Sequence, residues 1–150
     1  MNAVLTEQTP AQLAKGCEAI NRLEAEMAKH PPCEYGLVHR FTLHMCSREW
    51  SAKAGVKCTT RVHRTEHQFI ISKGKVRIWM DGKGWQVFAA PYHGITKPGT
   101  KRVLDILEDL IFTTFHATDT TDIAALEAEL AEPDLHLDAL VEAQKQRAIA

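Results

Sequence analysis

The sequence predicts a mainly β protein, a small barrel or sandwich of short strands carried between an N-terminal helix and a helical C-terminus. Three observations predict it. Between about residues 35 and 118, apolar residues recur with a period of two and are interrupted by Gly-rich turns. On either side of that stretch the apolar period lengthens to three and four residues. The composition, 45% hydrophobic and 25% charged over 150 residues, is that of one ordinary domain. A chain of this size buries enough surface to need neither disulfides nor a structural metal.

The elements follow in order. Thr9-Pro10-Ala11-Gln12 reads as a helix start, with Thr9 as cap, Pro10 at the first helical position and Gln12 completing a capping box. Leu13, Gly16/Cys17, Ile20, Leu23 and Met27 then form one apolar stripe, giving a helix over 10–29 that His30-Pro31-Pro32 stops. From Tyr35, the alternation of Leu37, His39, Phe41, Leu43 and Met45 with polar neighbours predicts one long, bent strand. Ala54-Gly55 turns, and Val56 to His63 is dense in β-branched residues. Gln68 to Ser72 is a strand, Lys73-Gly74 a turn, and Lys75 to Met80 a further strand. Asp81-Gly82-Lys83-Gly84 is a hairpin loop, so Trp79 and Trp85 should pair across it. Trp85 to Ala89 returns, and Pro91 to Gly99 reads as a loop. Arg102 to Leu107 and Leu110 to His116 read as two strands hinged at Glu108-Asp109. Thr121-Asp122 restarts a helix with Ile123, Leu126 and Leu130 on its apolar side, ended by Glu132-Pro133; Leu135 to Arg147 is a second helix. The expected divisions are a helical segment 1–34, a barrel 35–118 and a helical segment 119–150.

Charge and cysteine usage exclude several classes. The formal net charge is −1, so no global field recruits nucleic acid or an acidic membrane. Cys17, Cys33, Cys46 and Cys58 form no C-x-x-C pair and stand at no zinc-finger spacing. Met1 to Gln8 lacks the basic and apolar regions of a secretory signal, and no apolar run is long enough for a membrane helix. The expected location is a reducing cytoplasm.

The chemistry concentrates in Arg61-Val-His63-Arg-Thr-Glu66-His67, followed by Gly74. Strand alternation would put Arg61 and His63 on one face, and a kink across Arg64-Thr65 would return His67, Phe69 and Ile71 to it. Imidazoles from adjoining strand ends suit a divalent transition metal such as Zn, Fe, Ni or Mn. His116, at the end of the last strand, is the best third ligand, with His44, His93 and Glu66 as weaker ones. Two readings stand side by side: a metal site, or hydrogen-bonded histidines in a metal-free pocket. The match of His63-Arg-Thr-Glu66-His67 to the inverzincin signature H-x-x-E-H lacks its helical context, because the flanks are rich in β-branched residues.

This stretch resembles the first motif of the cupin superfamily, a double-stranded β-helix of jelly-roll type. Gly55, Arg61-x-His63, His67 and Gly74 fall at the motif's spacing, with Arg61 in the place of the first ligand histidine and His67 in that of the glutamate. Pro98-Gly99-Thr100-Lys101-Arg102 is similar to the second motif, with Arg102 in the histidine position and no matching asparagine. The segments H-R-T-E-H-Q-F-I-I-S-K-G, P-G-T-K-R-V and E-D-L-I-F-T-T-F-H also resemble single-domain cupins encoded by tailed bacteriophages. The resemblance implies a pocket at the barrel mouth bounded by Arg61, His63, His67, Arg102 and His116. A guanidinium is no metal ligand, so Arg61 and Arg102, with Glu66 beside them, form the alternative: a fork for a phosphate or carboxylate ligand, unless each arginine pairs with an acid at the rim. The implied functions are a small-molecule or metal-binding accessory factor of a phage or prophage, a metal-dependent isomerase, epimerase or oxygenase, or a protein-interaction scaffold. The helix stripes call for a partner, which suggests a homodimer.

Overall fold

The computed structural model describes residues 10–80, 83–99 and 101–149. Helix α1 spans Pro10–Met27, with Pro10 opening it as its fixed φ and missing N–H allow; Thr9 lies outside the described residues. Among the described residues seven strands follow: β1 Tyr35–Thr42, β2 Met45–Ala52, β3 Lys57–Thr59, β4 His67–Met80, β5 Gly84–Ala89, β6 Tyr92–Thr96 and β7 Val103–Ala117. Helices α2 (Ile123–Leu130) and α3 (Leu135–Ile149) close the chain.

Every pairing is antiparallel, and the two long strands β4 and β7 are shared by two sheets. Their His67–Lys73 and Ile111–Phe115 portions lie in one sheet of order β1-β2-β7-β4-β6. Their other portions lie in a second sheet of order β3-β7-β4-β5. The passage between sheets is a run of register shifts at Ile71/Lys73, Lys73/Lys75 and Lys75/Val76. Such bulges sharpen the twist and fold one long strand over a core. Gly74 makes this corner possible. Its φ is 88°, and a Cβ there would come within 2.8 Å of the carbonyl carbon of Asp109 and the carbonyl oxygen of Glu108. The core between the sheets holds Ala52, Phe69, Ile71, Val76, Ile78, Met80, Leu104, Ile106 and Leu110.

Four sequence expectations are corrected. The long strand from Tyr35 to Met45 is a hairpin: Thr42 faces Met45 across a turn in which His44 takes φ 62°. The turn reverses parity: Phe41 pairs with Cys46 and Thr42 with Met45, so Met45 leaves the side that Leu37, His39 and Phe41 share. Lys73-Gly74 and Glu108-Asp109 do not end strands; they are the bulged corner of two continuous ones. The Pro91–Gly99 loop contains β6, which begins after the cis Ala90-Pro91 bond. The strand expected over Val56–His63 shrinks to β3, and residues 60–66 are irregular apart from one bridge between His63 and Ala131. Arg61 and His63 therefore share no strand face. Trp79 and Trp85 do face each other, and the Arg77 guanidinium stacks 4.3 Å over Trp85.

The helices pack on their own chain. Among the described side chains of α1, Ile20 and Glu24 are buried, while Leu23 of the expected stripe is exposed. Glu24 and Asp134 close on Lys101 Nζ, at 3.0 and 2.6 Å. Asp134 also accepts from the Leu137 N–H at the start of α3, and Thr59 donates to Glu24 at 2.6 Å. This buried network ties α1, β3 and α3 together. Gln144 and Arg147 of α3 add hydrogen bonds to the carbonyls of Met27 and Ala28 at the end of α1. Helix α2 starts at Asp122, whose carboxylate accepts from the Ala125 N–H.

Candidate functional site

Alternation and register define what the first sheet points into the barrel. Trp50, Phe69, Ile71 and Phe112 pack in or against the core, so residues two and four positions away on each strand share their side. One row across the sheet is then His39, Arg48, Thr114, Phe69 and Gly94; the next, nearer the mouth, is Phe41, Cys46, His116, His67 and Thr96. Gly94 leaves room for Phe69, whose ring a Cβ would meet at 2.6 Å.

Three imidazoles gather at that mouth. The ring centroids of His63 and His67 are 4.6 Å apart, those of His67 and His116 4.5 Å, and those of His63 and His116 6.3 Å. His67 and His116 are 5% and 2% exposed. His67 Nδ1 lies 3.3 Å from the Thr65 carbonyl oxygen, which only accepts, so this nitrogen carries the proton and Nε2 is left bare. His116 Nε2 bonds the Thr114 hydroxyl at 2.8 Å, while its Nδ1 and that of His63 are buried without a partner. Burial, with charge from Arg48 and from the neighbouring ring of His67, pushes His63 down to about 4 and His116 to about 3. Burial also lowers His67. The rings are neutral at neutral pH.

Arg102 stands beside them, 6% exposed, with Nε and Nη2 buried and unpartnered. Its charge is felt by both His63 and His67, and burial brings the guanidinium itself down to about 10. The backbone on either side is fixed by reciprocal bonds with Thr60. Arg48 enters from β2; its Nε donates to His39 Nε2 at 3.2 Å and its Nη2 lies 3.6 Å from Glu127 of α2.

Helix α2 covers this mouth. Leu126 and Leu130 are fully buried against Cys46 and Phe41. The segment that follows binds the backbone around His63: Arg64 N–H donates to Leu130 O, Glu132 N–H to Val62 O, and Ala131 bridges His63.

The structure brings His63, His67, His116 and Arg102 together and places other expected residues elsewhere. Arg61 pairs with Asp138 of α3 and does not join the histidines. Glu66 is exposed and bonds Lys97 at 2.8 Å. His44 is in the β1–β2 turn against Asp119, and His93 faces outward to Gln68. Arg48 was missed, because the stretch after Met45 was assigned to no strand. Its signal was present in the alternation of Cys46, Arg48 and Trp50.

Three neutral imidazoles have the donor chemistry for a divalent transition metal. Among the described residues no three His, Cys, Asp or Glu side chains are grouped to hold an ion, and the Arg102 guanidinium beside them opposes a second cation.

No family model and no curated protein matches the sequence. Solved structures do match in fold. An uncharacterised conserved protein with a double-stranded β-helix domain from Klebsiella pneumoniae superposes with a TM-score of 0.50 at 19% identity, covering 73% of this chain and 95% of that one. A cupin superfamily protein from Desulfitobacterium hafniense gives 0.49 at 8% identity, covering 57% of this chain and 79% of that one. An RmlC-like cupin family protein from Methanocaldococcus jannaschii gives 0.48 at 12%, covering 59% and 84%. The chain thus has a double-stranded β-helix fold, with helices added at both ends. Among the described residues no helix is long and apolar enough to cross a membrane.

Proposed function

We propose that this protein binds a small anionic molecule inside its barrel, without catalysing its conversion. The observation that carries the reading is Arg102: a buried guanidinium with two unpartnered nitrogens, next to imidazoles that are neutral. Leaving a buried donor unsatisfied costs about 1–3 kcal/mol, more when it is charged, and an oxyanion removes that cost. Arg102 takes the role expected of Arg61 and Arg102 jointly. The setting proposed with it is a phage or prophage accessory factor working as a homodimer in the host cytoplasm, which the resemblance to phage-encoded cupins supports.

Calorimetric titration with inorganic phosphate and a panel of short carboxylates tests this. At least one anion should bind, Arg102→Met should abolish binding, and Arg61→Ala should leave it intact. Absence of binding across the panel sinks the proposal. The clustering of three histidines favours a second reading, a metal-dependent cupin enzyme such as an isomerase, epimerase or oxygenase. Stoichiometric Zn, Fe, Ni or Mn in freshly purified protein, lost in both His63→Ala and His67→Ala, would replace the anion reading with that one.

A further inference from the structure

The rows of side chains that build the core do not stop at β2. Leu110, Ala52 and Tyr35 stand opposite one another across β7, β2 and β1, and so do Phe112, Trp50 and Leu37. On β7 and β2 these side chains pack in or against the core. On β1, on the same side of the sheet, they run out into solvent: Tyr35 is 61% exposed and Leu37 38%. Val38, on the other side, is exposed as well. Among the described residues β1 pairs with β2 alone, over its whole length and without a bulge, and it holds no Lys or Pro. A long, regular edge with apolar side chains on both faces invites pairing with another strand. The other open edges are short or carry a cation: β3 has three residues and β6 five, and on β5 the Arg77 guanidinium lies over Trp85.

Charge selects the strand that fits. A two-residue loop closes on a hydrogen-bonded pair, here Thr42 with Met45, so every second residue back from Thr42 directs its backbone groups to β2. Tyr35, Leu37 and His39 direct theirs to the open side. Glu34 and Arg40 are the only carboxylate and the only guanidinium between residues 34 and 42. Glu34 is exposed and forms no ion pair among the described residues; Arg40 gives Nη1 to Glu49 and keeps its other donors. In two antiparallel copies of β1 with a two-fold axis at Leu37, Glu34 of each copy faces Arg40 of the other. Tyr35, Leu37 and His39 then exchange backbone bonds with His39, Leu37 and Tyr35 of the other copy. Opposite charges facing one another across such a pair stabilise it, and like charges, as an axis at Arg40 would give, destabilise it. The apolar row of Phe112, Trp50 and Leu37 continues unbroken into its twin.

We infer that two copies of this chain join edge to edge through β1, antiparallel about a two-fold axis at Leu37, into one continuous sheet. This gives the homodimer named above its interface and rests on that part of the reading.

Sedimentation velocity of the full chain over a dilution series measures the dimer. Glu34→Arg and Arg40→Glu should each weaken it ten-fold or more. The double variant Glu34→Arg/Arg40→Glu should recover most of that loss, which damage to the monomer would not do. Leu37→Lys sets two ammonium groups at the axis and should leave monomer only. In a Cys33→Ser background, Leu37→Cys should form an intermolecular disulfide on mild oxidation, since residues paired in this way have Cα atoms about 5.5 Å apart, and Leu43→Cys should not. A dimer that withstands Leu37→Lys and is not cross-linked by Leu37→Cys overturns this interface while leaving a homodimer joined elsewhere. A double variant as weak as either single one overturns the axis at Leu37. A monomer at every concentration overturns both the interface and the homodimer, and leaves the β1 edge to a strand of another protein. Anion binding is judged separately, by the titrations of Arg102→Met.

Discussion

Gly74→Ala probes the corner on which the barrel depends, and Gly55→Ala is its control. Both glycines have left-handed backbones, with φ of 88° and 90°. A methyl group in that region costs about 1–2 kcal/mol at either position. Their surroundings differ. Nothing lies within 4 Å of a Cβ at Gly55, whereas at Gly74 it would press on the Asp109 carbonyl group and the Glu108 oxygen. These are backbone atoms of β7, so no rotamer change relieves the contact. Forcing a methyl group into packed structure adds about 1–3 kcal/mol. The expected losses are about 1–2 kcal/mol for Gly55→Ala and about 2–5 kcal/mol for Gly74→Ala. The second is a large share of a stability of about 5–15 kcal/mol. Urea unfolding with fitted midpoints and slopes measures both. Equal losses would mean that β7 gives way freely at Asp109, and the argument that Gly74 is required by the bend would fail.

Three further outcomes are expected. Lys101→Met leaves Glu24 and Asp134 buried side by side without their cation, a loss of about 3–5 kcal/mol; a loss under about 1 kcal/mol in urea unfolding would show that the network is not closed in solution. Leu130→Ala, at a site 2% exposed, should cost about 2–5 kcal/mol and speed hydrogen exchange at the Arg64 and Glu132 amides, which bond to this end of α2 and to Val62; unchanged exchange would separate α2 packing from the His63 segment. Stability should also fall with acid before the carboxylates titrate. His63 and His116 are held below their unfolded value near 6.5, so the unfolded chain binds more protons. Their contribution is full above about pH 6.5 and is lost as pH falls towards about 4 and 3. A melting temperature that stays flat from pH 7.5 to 5 would show the rings to be solvated.

The fold was legible because turn residues and period-two patterning are local. The bends were not. Gly74 in a bulge and Gly55 in a turn look alike in sequence, and only pairing with β7 tells that Gly74 keeps the strand going. Leu43-His44 carries no Gly, Asn or Pro, so nothing local announced the β1–β2 turn. At the site, His63, His67 and His116 were found by type and spacing, and the chain brings them within ring contact. Arg61 was misplaced because its position depends on α3: Asp138, 77 residues away, claims it. Glu24 and Lys101 were invisible for the same reason, since each looks like a solvated charge until the helices dock.

Lys101 and Arg102 are adjacent, both buried, and treated in opposite ways. The fold brings two carboxylates to Lys101, from α1 and α3. To Arg102 it brings the imidazoles of His63 and His67, which do not carry the countercharge. A buried cation without a paired anion costs several kcal/mol, and replacing it by an apolar side chain of similar volume removes that cost. Arg102→Met should therefore raise the melting temperature of the ligand-free protein, by about 2–4 °C for each kcal/mol gained in a chain of this length, while abolishing anion binding. A residue that lowers stability and is needed for binding is what a functional site requires. If Arg102→Met is instead destabilised as Lys101→Met is, then Arg102 has a counterion within the fold, and its claim to hold a ligand is lost.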